Sequence, residues 1–135
     1  KDVPLIMAMH NVAYMATISP AYTKDFVSKL RKAASVKNGF VYLHIFSPCP
    51  TGWRFKPENT ISIARLAVQT NFFPLYEYQD GRFNQTVAIR QSKPVQELIE
   101  KLGKFQHLEP NIINDLQQWV DDKMNLLQKL WSSTD

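Results

Sequence analysis

The first third of the sequence reads as a strand, a helix and a second strand, and this order constrains the fold more than any other feature. Ala13–Ser19 is short, rich in residues that favour strands and ended by Pro20, so it predicts a buried strand. Phe40–Phe46, "FVYLHIF", is apolar nearly throughout, as strands covered on both faces are. Two strands joined by one helix pair in parallel, so the sequence predicts a βαβ unit and an α/β fold.

The helix between these two strands has recognisable ends. Thr23 is predicted as its N-cap, and Asp25 follows in the first turn, where the helix dipole favours an anion. Asn38-Gly39 is a typical helix stop. The predicted core-facing side recurs at helical spacing and comprises Phe26, Val27, Leu30 and Ala34.

Further elements precede and follow this unit. Pro4–Asn11 predicts a short helix, and Pro57-Glu58 opens a helix that Asn71 closes. The apolar face of that second helix is predicted to comprise Ile61, Ala64, Leu66, Ala67 and Val68. Two strand-like runs around Asp80-Gly81 predict a hairpin near residues 74–89, formed by Pro74–Tyr78 and Phe83–Ile89.

The chain after Pro94 is predicted to be helical and amphipathic. Its apolar residues recur at spacings of three and four on one stripe, made of Ile112, Ile113, Leu116, Val120, Met124, Leu127 and Leu130. We expect residues 1–92 to form an α/β domain and residues 93–135 a helical C-terminal extension that packs onto partner subunits.

Composition narrows the class of protein. A chain of 135 residues that is 44% hydrophobic has the size of one globular domain, and no apolar run approaches the roughly 20 residues that span a bilayer. One cysteine excludes an internal disulfide, which favours a reducing, cytoplasmic setting. The net charge is +4, but the densest basic cluster, Lys29–Lys32, lacks interleaved aromatic residues and is interpreted as a solvated helix face rather than a nucleic-acid site.

The single cysteine stands in "SPCPTGW", Ser47–Trp53, between Pro48 and Pro50 and just beyond the apolar strand. In open parallel sheets, ligands bind beyond the carboxyl ends of the strands, so this loop is a candidate site. A lone cysteine is most often a small buried hydrophobe, and a Cys49–His44 nucleophile–base pair is a weak alternative because His44 lies within the strand. Metal ligation would require other ligands, since one thiolate cannot hold zinc or an iron–sulfur cluster.

The remaining candidates have structural interpretations. His10 and His107 are predicted at a helix end and in an exposed loop, and Asp121-Asp122 lies on a solvated helix face. Trp53 and Phe55 are interpreted as a plug at the end of the sheet rather than a ligand wall. The four glycines are isolated, so no phosphate-cradling loop is predicted, and no catalytic residue or complete cofactor site is expected within this chain.

Several segments resemble a known family. "YMATISPAY" at 14–22, "SPCPTGWRF" at 47–55, "IARLAVQTNFFPLYEY" at 63–78 and "KLGKFQHL" at 101–108 occur in the order seen in the thiamine-diphosphate-binding β subunit of the 2-oxoacid:ferredoxin oxidoreductases. The resemblance covers roughly residues 1–110. The Cys-Pro-Thr-Gly-Trp run favours the pyruvate and branched-chain members of the family.

This resemblance implies a fold, a reaction and a set of cofactors. The family fold is a doubly wound, mostly parallel sheet with helices on both faces. The enzymes decarboxylate a 2-oxoacid oxidatively, transfer the acyl group to coenzyme A and pass electrons through [4Fe–4S] clusters to ferredoxin, using thiamine diphosphate and Mg²⁺. The resemblance implies that Cys49 is the last of four cluster ligands, and that sister subunits and acidic ferredoxin are partners.

The sequence departs from the family pattern in one large respect. The Gly-Asp-Gly motif for thiamine diphosphate and Mg²⁺ and the other three cluster cysteines are absent from these residues. We therefore expect a C-terminal portion of the subunit that, alone, is inactive and binds neither thiamine diphosphate nor a complete cluster. The alternative is a non-enzymatic α/β interaction module that retains the scaffold.

Overall fold

A computed structural model describes residues 2–132 of the chain. Its sheet is formed by four strands: β1 (Tyr14–Ile18), β2 (Val41–Ile45), β3 (Tyr76–Gln79) and β4 (Arg82–Gln85). The helices are α1 (Val3–Met9), α2 (Thr23–Ser35), α3 (Pro50–Trp53), α4 (Thr60–Gln69), α5 (Val95–Ile99) and α6 (Pro110–Ser132). Two short 3₁₀ turns span Pro57–Asn59 and Gly103–Phe105.

The strand order is β2–β1–β3–β4. β1 pairs in parallel with β2, which confirms the βαβ unit, and pairs antiparallel with β3, while β3 and β4 form an antiparallel hairpin. The sheet of the described residues is therefore mixed. β1 lies between two neighbours and is buried along its whole length, as its apolar composition predicted.

Helices cover both faces of this sheet, which confirms the predicted α/β class. On one face, the side chains of Tyr14, Ala16 and Ile18 pack with those of α2. On the other face, Met15 and Tyr76 pack with residues of α1 and α6, including Leu127. Alternate residues of β1 thus face different helices, because successive side chains of a strand point to opposite faces.

Helix α2 differs from its prediction at both ends. Tyr22, not Thr23, occupies the N-cap, and it makes no side-chain capping hydrogen bond. The helix ends at Ser35, three residues before Asn38. Gly39 has φ +102, and a Cβ there would lie 2.7 Å from the Cβ of Ala13. The glycine therefore serves the approach of the chain to β1 instead of terminating the helix.

The core-facing side of α2 is also rotated from the predicted one. Phe26 packs against the sheet as expected, but Val27, Leu30 and Ala34 are exposed. The positions that face the sheet instead are Lys29, Ala33 and Val36. The prediction was wrong because it assumed that the apolar side of the helix faces the core. In the structure Lys29 faces the sheet, and Val27 and Leu30 are exposed.

The prediction that Phe40–Phe46 is covered on both faces was wrong. β2 is one of the two edge strands among the described residues, and its side chains are half-buried up to Ile45, which is 53% exposed. Phe40 is 62% exposed. An apolar sequence cannot show whether a strand is central or at an edge, because both read as continuous hydrophobic runs.

The hairpin signal was confirmed. Asp80 and Gly81 form its turn with φ values of 52° and 80°, the left-handed conformation that a two-residue hairpin turn requires. Asn71 likewise adopts φ 56° just after α4. β4 ends at Gln85, earlier than the predicted Ile89.

The C-terminal helix was predicted as a single amphipathic stripe, and its centre is buried. Val120, Met124 and Leu127 are buried, the last two within the cluster that covers one face of the sheet. These residues pack within the chain's own core, while Ile112 at the start of the helix is 45% exposed. The packing of this region onto partner subunits stays a prediction. No helix among residues 2–132 is long and apolar enough to cross a membrane.

Leu127→Ala tests this packing. Leu127 is fully buried, so its truncation should lower the free energy of unfolding by about 2–5 kcal/mol through lost burial and the cavity left behind. The neighbouring Leu126 is 49% exposed, and Leu126→Ala should change stability by less than about 0.5 kcal/mol. Urea denaturation measures both, and equal losses would contradict the assignment of this helix face.

Candidate functional site

The carboxyl ends of the two parallel strands lie side by side at one end of the sheet. The backbone N–H of Phe46 donates to the carbonyl oxygen of Ile18 at 2.9 Å, so β1 and β2 end side by side. Ser47–Trp53 leaves the sheet at this end. The structure therefore places the cysteine loop beyond the carboxyl ends of the parallel strands, where open parallel sheets bind ligands.

Local geometry holds Cys49 in place. Cys49 is the N-cap of α3, and its Sγ accepts a hydrogen bond from the backbone N–H of Gly52 at 3.3 Å. Pro50 occupies the first helical position, where its missing N–H costs nothing. A Cβ on Gly52 would come within 3.2 Å of this sulfur, so glycine leaves the thiol uncrowded. The result is an exposed thiol on a stiff support.

Exposure of the thiol decides against the simplest interpretation, in which Cys49 is a buried hydrophobe. The structure also gives no support to a pair with His44. The Nδ1 atom of His44 lies 3.0 Å from the hydroxyl oxygen of Tyr42, and its ring stacks on Phe73 at a centroid distance of 5.7 Å. Burial lowers the pKa of His44. This histidine is a packed strand residue.

The loop after Cys49 packs into the core. Trp53 lies against Phe46 with ring centroids 5.7 Å apart, and Phe55 packs on the same cluster. This arrangement agrees with the interpretation of both aromatic residues as a plug. Within residues 2–132, no group of three or more His, Cys, Asp or Glu side chains is placed to hold a metal ion. A metal site that included Cys49 would therefore need donors from elsewhere.

The sequence prediction missed a charged network beneath α2. The side chain of Lys29 is 1% exposed, and its ammonium group donates to the carbonyl oxygen of Thr17 at 2.8 Å and to Asp25 Oδ2 at 2.7 Å. Burial lowers the pKa of Lys29, while the hydrogen bond and charge of Asp25 oppose this change. Lys29 is therefore not part of a solvated face, and that prediction was wrong for this residue.

Glu77 on β3 is the second buried charge. Its Oε2 accepts from the Tyr14 hydroxyl at 2.8 Å, and its Oε1 accepts from Lys32 Nζ at 2.6 Å and from Asn84 Nδ2 at 3.2 Å. Burial alone would raise the pKa of Glu77, but these hydrogen bonds, with that of Lys32 the strongest, outweigh it and lower the pKa. Burial first, and then the hydrogen bond to Glu77, raises the pKa of Tyr14.

These charges adjoin a cleft of about 670 Å³ between α2 and the β3–β4 hairpin. Most of the residues that line it have polar side chains, among them Lys29, Lys32, Glu77, Asn84 and Thr86. The i,i+4 spacing of Asp25 and Lys29 is visible in the sequence and could have indicated their pairing. Nothing in the sequence pairs Glu77 with α2, because that contact depends on the register of β3 against β1.

Comparison with known proteins finds relatives that match nearly the whole chain. The chain is 41% identical over 127 residues to pyruvate synthase subunit PorB of Methanocaldococcus jannaschii, and 41% identical over 132 residues to ketoisovalerate oxidoreductase subunit VorB of Pyrococcus furiosus. It is also 42% identical over 133 residues to the β subunit of NADH-dependent phenylglyoxylate dehydrogenase of Aromatoleum evansii. These alignments cover 94–96% of this chain. No protein-family model matches the chain.

All three relatives are subunits of enzymes whose names specify a 2-oxoacid, and the chain is homologous to this class of oxidoreductase subunit. More particularly, it is similar over nearly its whole length to the PorB and VorB proteins, which confirms the resemblance to the β subunits of 2-oxoacid:ferredoxin oxidoreductases. The chain spans 42% of the length of the PorB and VorB relatives and 30% of that of the phenylglyoxylate dehydrogenase subunit.

Asp25→Asn tests the buried ion pair. Without the carboxylate, the ammonium of Lys29 keeps one carbonyl partner and an uncompensated charge, so the free energy of unfolding should fall by about 3 kcal/mol. Glu97→Gln removes an i,i+4 pair with Lys93 that is nearly half-exposed and should cost less than about 1 kcal/mol. Chemical denaturation distinguishes the two, and similar losses would show that Lys29 is solvated.

Glu77→Gln tests the second charge through pH. Since the folded-state pKa of Glu77 lies below its usual 4.5, the carboxylate stabilises the fold above about pH 4.5 and loses this effect as pH falls through the folded-state pKa. Wild type should therefore exceed the variant in stability near neutral pH, and the difference should shrink on acidification. Glu58→Gln, which removes a carboxylate at an exposed position, is the control. A pH-independent difference for Glu77→Gln would refute the assignment.

Proposed function

We propose that this chain is part of the β subunit of a 2-oxoacid:ferredoxin oxidoreductase that acts on pyruvate or a branched-chain 2-oxoacid. The observation that carries the proposal is the identity of about 40% with PorB and VorB over nearly the whole chain. The names of these relatives specify pyruvate and ketoisovalerate, so the substrate class is a short 2-oxoacid. Coenzyme A would accept the acyl group and ferredoxin the electrons, in the cytoplasm.

Cys49 is proposed as one ligand of a [4Fe–4S] cluster. The residues fit this role in part: the thiol is exposed, held by a helix cap and unobstructed by Gly52. A cluster of this kind is held by four thiolates, so three others must come from outside this chain's residues. When bound, the cluster supplies one-electron transfer.

The loop contributes rigidity and a hydrogen bond. Pro48 is buried and Pro50 begins α3, so the backbone on either side of the thiol has little freedom. The N–H of Gly52 points to the sulfur, and such hydrogen bonds tune the reduction potential of iron–sulfur centres. The chain's own residues thus position one sulfur and adjust its electron density.

Thiamine diphosphate and Mg²⁺ are proposed for the assembled enzyme, bound by residues outside this chain. The described residues hold no three-carboxylate or histidine group for a metal ion, and the sequence has no glycine-rich phosphate loop. The isolated chain should therefore be inactive and bind neither thiamine diphosphate nor a complete cluster. Sister subunits would complete the site.

Cys49→Ser in the intact, assembled enzyme tests the ligand assignment. Loss of one thiolate should remove or alter one cluster, which lowers the iron content by about four atoms per subunit or changes the electron paramagnetic resonance signal of the reduced enzyme. Thr51→Ala is the matched control in the same loop, and its iron content and spectrum should stay as in wild type.

Two outcomes separate the parts of this proposal. Full iron content and an unchanged spectrum in Cys49→Ser would exclude Cys49 as a ligand. A wild-type assembly that shows no 2-oxoacid-dependent reduction of a dye such as methyl viologen would refute the proposed enzyme itself.

A further inference from the structure

We propose that the outward surface of α2 docks a small acidic electron-carrier protein. This surface, here called the α2 outer face, comprises Lys24, Val27, Leu30, Arg31 and Ala34. The proposal rests on the proposed function, which requires an electron acceptor, and adds the surface that receives it.

The α2 outer face exposes apolar side chains in a regular stripe. Val27 and Leu30 are each 38% exposed, and Ala34 is exposed one turn further along. Residues three and four apart share one side of a helix, so these side chains form a continuous surface. They face outward because Lys29 faces the sheet and is held there by two hydrogen bonds. A buried lysine beside exposed aliphatic residues reverses the usual pattern, and such reversals concentrate at functional surfaces.

The charges on this surface all have one sign. Lys24 and Arg31 are exposed, and within residues 2–132 no carboxylate lies within ion-pair distance of either. The only acidic residue of α2 is Asp25, and its side chain pairs inward with Lys29. A cationic rim around an apolar centre complements an acidic protein surface, and such complementarity raises the rate of encounter.

The location suits transfer of electrons to a docked carrier. α2 begins after the carboxyl end of β1, and the Cys49 loop leaves β2 at the same end of the sheet. Ala21, just before α2, and Trp53, at the end of α3, both pack against one core cluster. The first turn of α2 and the loop that presents the proposed cluster ligand therefore lie at the same end of the sheet.

An acidic partner fits this surface better than a second copy of the chain. A symmetric dimer would bring the same surface of each copy together, so the cations Lys24 and Arg31 of one copy would meet the same cationic surface of the other. Like charges across an interface are unfavourable, and the chain as a whole carries +4. A nucleic acid would not use the aliphatic centre of the surface.

The test uses the assembled enzyme and a purified acidic ferredoxin as the probe. Lys24→Glu/Arg31→Glu should weaken ferredoxin binding, measured by calorimetry at about 0.01 M ionic strength, at least about tenfold, and the difference should shrink as salt screens the charges. Leu30→Ser should weaken binding with little change in its salt dependence. Reduction of methyl viologen should be unchanged in both variants, because a small dye needs no protein docking surface.

The control is Lys129→Glu, which reverses an exposed charge on α6 and should leave ferredoxin affinity unchanged. Unaltered affinity in the α2 variants, or an equal loss in Lys129→Glu, would overturn the proposal. Loss of sister subunits from the α2 variants on gel filtration would also overturn it, because the surface would then be a subunit interface. If the wild-type enzyme does not reduce methyl viologen, the proposed function is refuted. The docking proposal, which rests on that function, is then refuted as well.

Discussion

The ammonium group of Lys29 determines how α2 lies on the sheet. Its two acceptors, the Thr17 carbonyl of β1 and the Asp25 carboxylate of α2, join the central strand to the first turns of the helix. A buried charge is stable only when its partners are in place, so the pair restricts α2 to one rotation about its axis. Alternative rotations that bury Val27 and Leu30 would bring Lys29 toward solvent and separate it from Thr17.

This rotation has two consequences on opposite sides of the helix. Toward the sheet, it brings Lys32 within 2.6 Å of Glu77 and so links α2 to the β3–β4 hairpin. Toward solvent, it leaves an apolar and cationic surface without a partner inside the described chain. The buried network and the exposed surface thus have one cause.

The cysteine loop depends on a different constraint, the parallel pairing of β1 and β2. Because the two strands end side by side, the segment after β2 and the segment before α2 both begin at the same end of the sheet. The prolines and the Gly52 hydrogen bond then fix the position of one sulfur. The pairing of the two strands thus determines where the cysteine loop lies, and the loop determines how the thiol is held.

The sequence predicts the features that depend on local interactions. The sequence alone determined the order of the elements, the Asp80-Gly81 turn, the left-handed Asn71 and the family, since strand, turn and helix signals depend on neighbouring residues. It also located Cys49 at a strand end, although its exposure became clear only in the structure. The edge position of β2, the rotation of α2 and the contacts of Glu77 were decided by the tertiary structure, because each depends on packing between segments distant in sequence. Hydrophobic periodicity assigns apolar residues to the core, and it cannot anticipate a lysine that is buried because a backbone carbonyl and a carboxylate meet it there.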